Sequence, residues 1–170
     1  RGGSIFGVCN GFQVLVKSQL LPQVEGVELS LTWNTSHKFE ARWSRLKVEQ
    51  PLSHILPYGS ILPAPSAHAE GQIVLKSGQD DIDRLEKANA IALRYCDESG
   101  KINEDYPHCP SGSIGAIAGL ISDSGRIIGM MPHPERNLSI LHTPDRGKGS
   151  WGDGTEGLAF FNGILAPYKA

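Results

Sequence analysis

The sequence predicts a three-layer α/β domain, with helices on both faces of a mostly parallel sheet. Three observations carry this. A short apolar strand around Ile5, Phe6 and Val8 runs through a glycine-flanked turn into a helix starting at Gln13, the strand–turn–helix unit of α/β folds. Strand patterns of period two recur along the chain, broken by a helical pattern over residues 80–89 and another over 158–165. The 170 residues are 39% hydrophobic, enough for one core, so residues 1–170 read as a single domain. That domain is expected to lack its N-terminal strands. The chain opens on Arg1-Gly2-Gly3 without methionine, and no βα unit precedes the first strand.

In order, residues 13–20 form a helix stopped near Leu21-Pro22. Residues 28–33 alternate as a strand, with Leu29, Leu31 and Trp33 on one face. After the polar turn Asn34-Thr35-Ser36, residues 39–43 alternate in the same odd phase, with Phe39 and Trp43 apolar. The phase slips at Ser44-Arg45 and Leu46 and Val48 carry it on, which predicts a bulge. Residues 51–65 hold four prolines and read as an extended connection. A short strand follows at 72–75, then the helix at 80–89, capped by Asp80 or Asp81. Residues 90–96 are a strand and 106–112 a Pro- and Gly-bearing loop. Residues 114–121 and 126–131, joined by Ser122-Asp123-Ser124-Gly125, make a hairpin. Residues 139–156 are polar and Gly-rich, expected as a mobile loop, and a closing helix ends before Pro167.

Composition removes several function classes. The net charge is −2, which gives no electrostatic reason for nucleic-acid binding. No apolar run reaches membrane-spanning length and no signal-peptide pattern occurs, so no membrane partner is expected. Cys9, Cys96 and Cys109 are an odd, scattered set, suited to a reducing cytoplasm rather than a disulfide framework. The thiols and histidines lack metal-ligand spacing, so no metal site is expected. Asn34-Thr35-Ser36 and Asn137-Leu138-Ser139 match the glycosylation sequon, here by chance.

The turn at Gly7-Val8-Cys9-Asn10-Gly11 has the Gly-x-nucleophile-x-Gly form of a nucleophile elbow. Both glycines are expected there because a β-carbon at either flank would crowd the turn. Cys9 then stands beside a helix N-terminus, where the dipole favours a thiolate; a buried structural cysteine in a Gly-rich turn is the other reading. A thiol nucleophile needs a base, and that base an orienting group. Of His37, His54, His68, His108, His133 and His142, His133 stands out. It leaves the end of an apolar strand between Pro132 and Pro134, with Glu135 two residues on. A rigid surface turn would also explain Pro-His-Pro-Glu.

Gly7-Val8-Cys9-Asn10-Gly11-Phe12-Gln13 together with Met131-Pro132-His133-Pro134-Glu135-Arg136 resembles the class I (triad) glutamine amidotransferases, a flavodoxin-like three-layer family. Within it, the likeness is to the glutaminase part of phosphoribosylformylglycinamidine synthases. Residues 34–42, 67–71 and 92–97 carry the same likeness, so it runs from Gly7 to Arg136. The resemblance implies that Cys9 attacks the glutamine carboxamide to give a thioester and ammonia. His133 serves as base then acid, oriented by Glu135, and the Asn10 N–H forms half of an oxyanion hole. It places Gln13, Asn34, Ser36 and Phe39 at the glutamine pocket, and His68 and Glu70 either there or in a hydrogen-bonded turn. It implies L-glutamine as substrate and a synthetase subunit or domain as partner, which uses the ammonia to make formylglycinamidine ribonucleotide in purine biosynthesis. No cofactor is expected in this domain; ATP and magnesium belong on the synthetase, since no phosphate-binding loop occurs here. Two departures from the family pattern are expected to matter. One is Cys109-Pro110-Ser111-Gly112-Ser113 where the family reads Asn-Pro-Asn-Gly-Ser. The larger is the missing N-terminal region, which in the family supplies the first strands and the glycine loop completing the oxyanion hole. Ala69 also stands where glycine is usual. The alternatives are a non-catalytic module that docks on a synthetase, and a cysteine-peptidase relative, which Pro132-His133-Pro134-Glu135 disfavours.

Overall fold

A computed structural model describes residues 2–168. The chain first forms β1 (Ile5–Val8) and α1 (Asn10–Lys17), then β2 (Leu29–Thr32) and β3 (Glu40–Val48). β4 (Ile61–His68), β5 (Gln72–Leu75), α2 (Gln79–Lys87) and β6 (Ile91–Cys96) follow. The hairpin β7 (Ile117–Ile121) and β8 (Ile127–Met130) precedes α3 (Glu156–Leu165). Six strands form one sheet in the order β1-β8-β7-β6-β3-β4, and β2 pairs with β5 in a small second sheet.

The three layers are present. Phe12 and Leu15 of α1 and Leu85 of α2 close one core against Ile91, Ile117 and Leu120. On the opposite face Phe160 of α3 packs with Leu46, Leu62, Tyr95 and Met130. The pairing sense corrects the sequence expectation: only β1 and β8 run parallel, and the other pairs in the main sheet are antiparallel. For β7 and β8 the reason is connectivity. β7 and β8 are joined by a tight turn closed by Gly125 N donating to Ser122 O (2.9 Å), and short links of this kind impose antiparallel pairing.

β3 corrects a second expectation. Its pairing with β4 runs without a register shift from Glu40↔His68 to Lys47↔Ile61, so there is no bulge at Ser44-Arg45. The inward face is the even one throughout, with Glu40, Ser44, Leu46 and Val48 buried. Phe39, the aromatic that suggested the odd phase, is 64% exposed. The register shifts lie instead in the β6–β7 pairing.

The proline-rich connection also proves to be partly strand. Pro63 and Pro65 lie in β4, which is at the edge of the sheet. Their missing N–H groups face outward, where a proline costs no ladder bond. Their carbonyls face outward too, and the segment after β8 uses them: His133 N donates to Pro65 O and Asn137 Nδ2 to Pro63 O, both at 2.8 Å. The sheet therefore curls until the continuation of β8 meets the free edge of β4.

Residues 139–156 are irregular but tied down. Asp145 accepts from Ser150 N at 2.8 Å, and Trp151 packs against Trp43 with Arg45 stacked 3.9 Å above its ring. Among the described residues no helix is long and apolar enough to cross a membrane.

Candidate active site

Cys9 sits between the end of β1 and the start of α1, at φ 52°, ψ −110°. A left-handed φ on a residue with a β-carbon typically costs about 1–3 kcal/mol unless its surroundings hold it. They do: Cys9 N donates to Met130 O (2.8 Å), and Cys9 O accepts from Gln13 N (3.1 Å). The two elbow glycines are not equivalent. A β-carbon on Gly7 would lie 2.6 Å from Leu15 Cδ1 and 2.7 Å from Gly11 O, whereas one on Gly11 would meet nothing within 4 Å. Gly129, level with Gly7 in the parallel pair, has the ring of Phe12 where its β-carbon would go, 2.2 Å from Cδ2. Gly7 and Gly129 together form the flat shelf on which α1 rests. Only the Gly7 half of the crowding expectation describes the molecule.

The expected thiolate is also reversed in the resting molecule. Burial pushes the Cys9 thiol above its ordinary pKa, aided by the negative charge of Glu135. The Asn10 N–H and the positive charge of Arg136 oppose this without overturning it. Cys9 therefore rests as a neutral thiol, and attack by its sulfur would need a base.

His133 is placed to be that base. β1 and β8 are parallel neighbours with Val8 level with Met130, so Cys9 and His133 both emerge from the C-terminal ends of adjacent strands, where open α/β sheets gather ligands. His133 Nδ1 is 2.5 Å from Glu135 Oε1. A carboxylate acceptor there fixes the proton on Nδ1 and leaves the Nε2 lone pair free to take one. That Nε2 is buried without a hydrogen-bond partner among the described residues. The Cys9 thiol leans on Ala67 O at 3.8 Å and makes no hydrogen bond to His133; nucleophile–base contacts often close only around substrate. Cys9 and His133 both lie along the outer edge of β4, the thiol against Ala67 and the His133 backbone on Pro65.

The Asn10 N–H, at the first turn of α1, donates to the Cys9 sulfur and favours its charged form. Gln13 Nε2 donates to Glu70 O at 2.7 Å, which ties α1 to the loop between β4 and β5. Asn34 is fully buried and its amide is spent on the protein. Nδ2 donates to Lys38 O (3.0 Å) and His68 O (2.7 Å), and Oδ1 accepts from His68 Nδ1 (3.0 Å) and Gly71 N (3.1 Å). Both of its N–H bonds and its oxygen are thereby engaged by neighbouring groups. Ser36 Oγ is buried with no hydrogen-bond partner among the described residues, while Phe39 projects to the surface. His68 is 4% exposed; burial first, then the charge of nearby His133, lowers its pKa to about 4, against the pull of Glu40. Of the other histidines, His54 faces Pro51 O and His108 faces Glu98.

Sequence reasoning missed three contributors. Asn137, set aside as half of a chance sequon, is wholly buried and bolts the His133 loop to β4. Glu40 is a buried carboxylate opposite His68 in the β3–β4 register, paired with Arg42 Nε at 3.0 Å. Its signal was the strand phase, misread on the aromatics. Arg136 lies 3.9 Å from Glu135, one residue beyond the predicted triad.

Residues 1–165 match the CobB/CobQ-like glutamine amidotransferase domain. A phosphoribosylformylglycinamidine synthase subunit PurQ from Dehalococcoides mccartyi is 41% identical over 138 residues, 79% of this chain and 52% of that protein. One from Methanothrix thermoacetophila is 39% identical over 157 residues, 85% of this chain and 60% of that protein. The chain thus spans between half and two thirds of the length of these relatives. A solved structure of PurLQS from Thermotoga maritima matches 98% of this chain and 62% of its own, with a TM-score of 0.66 and 29% identity. With a family match running nearly end to end over a three-layer fold of the same kind, the chain belongs to the CobB/CobQ-like glutamine amidotransferase domain family.

Proposed function

We propose that this chain performs the glutamine-hydrolysing step of a phosphoribosylformylglycinamidine synthase, through Cys9, His133 and Glu135. The observation that carries it is the pairing of a strained cysteine elbow with a glutamate-held histidine just beyond the end of the adjoining parallel strand. On this reading His133 Nε2 takes the thiol proton as Sγ attacks the carboxamide carbon of L-glutamine. The Asn10 N–H stabilises the oxyanion, a contribution typically worth about 3 kcal/mol for one donor. His133 then returns the proton to the nitrogen, the C–N bond breaks, ammonia leaves, and water releases glutamate from the thioester. The ammonia passes to a synthetase subunit or domain that carries the ATP and magnesium chemistry; the relatives' names and the PurLQS neighbour support that partner. The setting is cytoplasmic purine biosynthesis.

The test is covalent labelling by a glutamine-like diazoketone, read by intact mass on the chain and on Cys9→Ala. The internal controls are good, since burial raises the pKa of Cys96 to about 11 and that of Cys109 above its ordinary value. One adduct, lost in Cys9→Ala and blocked by glutamine, supports the reading. Absence of any adduct, or equal labelling of the three thiols, refutes it for this chain and favours a non-catalytic docking module.

A further inference from the structure

We propose that His68 is a second histidine of the reaction: a neutral imidazole, protonated on Nδ1, whose Nε2 lone pair receives an N–H of the carboxamide nitrogen and then of the departing ammonia. This rests on the amidotransferase reading above and assigns a part of that site which the triad leaves unexplained.

The argument starts at Asn34. Its amide orientation is fixed, because Nδ2 faces two backbone carbonyls and Oδ1 already receives the Gly71 N–H. The atom facing His68 Nδ1 is thus an oxygen, at 3.0 Å, and only a protonated Nδ1 can bond to it. Gly71 closes the fit, since a β-carbon there would lie 2.3 Å from His68 Nδ1. The ring cannot turn over without losing that bond. Nε2 is consequently a bare acceptor, and it is buried with no partner among the described residues. A buried acceptor left unpaired is costly, and one held in a single tautomer by a saturated asparagine is a site awaiting a donor.

The donor follows from position. His68 comes directly after Ala67, whose carbonyl is 3.8 Å from Cys9 Sγ, and three residues after Pro65, which anchors the His133 backbone. The charge of His133 is felt at His68. Of the groups that attack at Cys9 brings together, the oxyanion needs donors and the nucleophile has its own base. Only the nitrogen carries N–H bonds and lacks an acceptor. His68 takes no proton in the step: the thiol proton travels through His133 to the nitrogen, the C–N bond breaks, and His68 holds one N–H throughout. A neutral acceptor is what this requires, because an imidazolium at that place would repel the nitrogen as it gains a proton.

Two substitutions separate this from a structural role. Asparagine places a donor where Nδ1 was and removes Nε2, so His68→Asn keeps the bond to Asn34. Glutamine reaches the Nε2 position, so His68→Gln keeps a polar group there and loses that bond. Ammonia release from glutamine and methanol release from γ-glutamyl methyl ester, whose leaving oxygen carries no N–H, are compared in each. The expected result is a kcat about 10- to 100-fold lower on glutamine for His68→Asn, the usual cost of one unpaired buried group, with a loss at least tenfold smaller on the ester. His68→Gln recovers part of the glutamine rate. Equal losses on both substrates, or a His68→Asn chain that turns over normally while His68→Gln fails in step with its stability, overturns the proposal. The ¹⁵N shifts of the His68 ring give a second reading independent of turnover: a protonated Nε2 at neutral pH overturns it. If the wild-type chain hydrolyses neither substrate and takes no diazoketone adduct, the amidotransferase reading itself fails and this one with it.

Discussion

The two elbow glycines offer a test in which chemically identical substitutions are expected to act in opposite directions. In Gly7→Ala the new methyl meets Leu15 Cδ1 at 2.6 Å and the backbone of Gly11 at 2.7 and 2.8 Å. Leu15 is buried and the Gly11 contacts are main chain, so neither retreats freely. Overpacking of this kind costs about 1–3 kcal/mol, offset by roughly 0.5 kcal/mol from the lower entropy of the unfolded chain. In Gly11→Ala the methyl enters open space inside α1, where alanine is favoured over glycine by up to about 1 kcal/mol. The two variants should thus differ by about 1.5–3.5 kcal/mol, or roughly 3–14 °C in Tm for a domain of this size. Urea titration and thermal melts of the chain measure it, with diazoketone labelling of Cys9 alongside. Gly7→Ala should label slowly because α1, which carries the Asn10 N–H, is pushed off its shelf; Gly11→Ala should melt higher. A Gly11→Ala chain destabilised as much as Gly7→Ala would show that crowding is symmetric about the elbow, and the geometry described for α1 would be wrong.

Two further outcomes concern charge. Glu135 raises the Cys9 thiol pKa and Arg136 lowers it, so the pH midpoint of iodoacetamide alkylation at Cys9 should fall in Glu135→Gln and rise in Arg136→Gln. Shifts in the same direction would remove both side chains from the thiol's surroundings. His68 has a folded pKa of about 4 against about 6.5 in the unfolded chain. The unfolded state therefore binds the extra proton between these values, and stability falls as pH drops from about 6.5 towards 4, by at most about 3 kcal/mol. Urea midpoints measured from pH 7 to 4.5 should fall less steeply in His68→Gln; an unchanged slope would mean that His68 is not held neutral.

Much of this molecule was legible in one dimension. The elbow, the hairpin and the His133–Glu135 spacing are local, set by residues a few positions apart, and local spacing survives folding. The antiparallel β7–β8 pair follows from its four-residue turn. The match of short motifs in fixed order was enough to point to the family.

What the sequence left open depended on knowing which neighbour each residue meets. Alternation along β3 states that two faces differ, but only the pairing with β4 and β6 showed that the buried face carries Glu40 and Ser44 while Phe39 looks outward. Gly7 and Gly11 are equivalent in a pattern and opposite in space, because Leu15 packs over one and nothing over the other. Asn34 reads as a pocket residue until its four hydrogen bonds are counted, and Asn137 as a sequon until the curl of the sheet brings Pro63 to it. Burial, not helix polarity, decided that Cys9 rests as a thiol, since desolvation is a property of everything packed around an atom. Residue order was enough to single out Cys9, His133 and Glu135; long-range packing set their protonation and their hydrogen-bond partners.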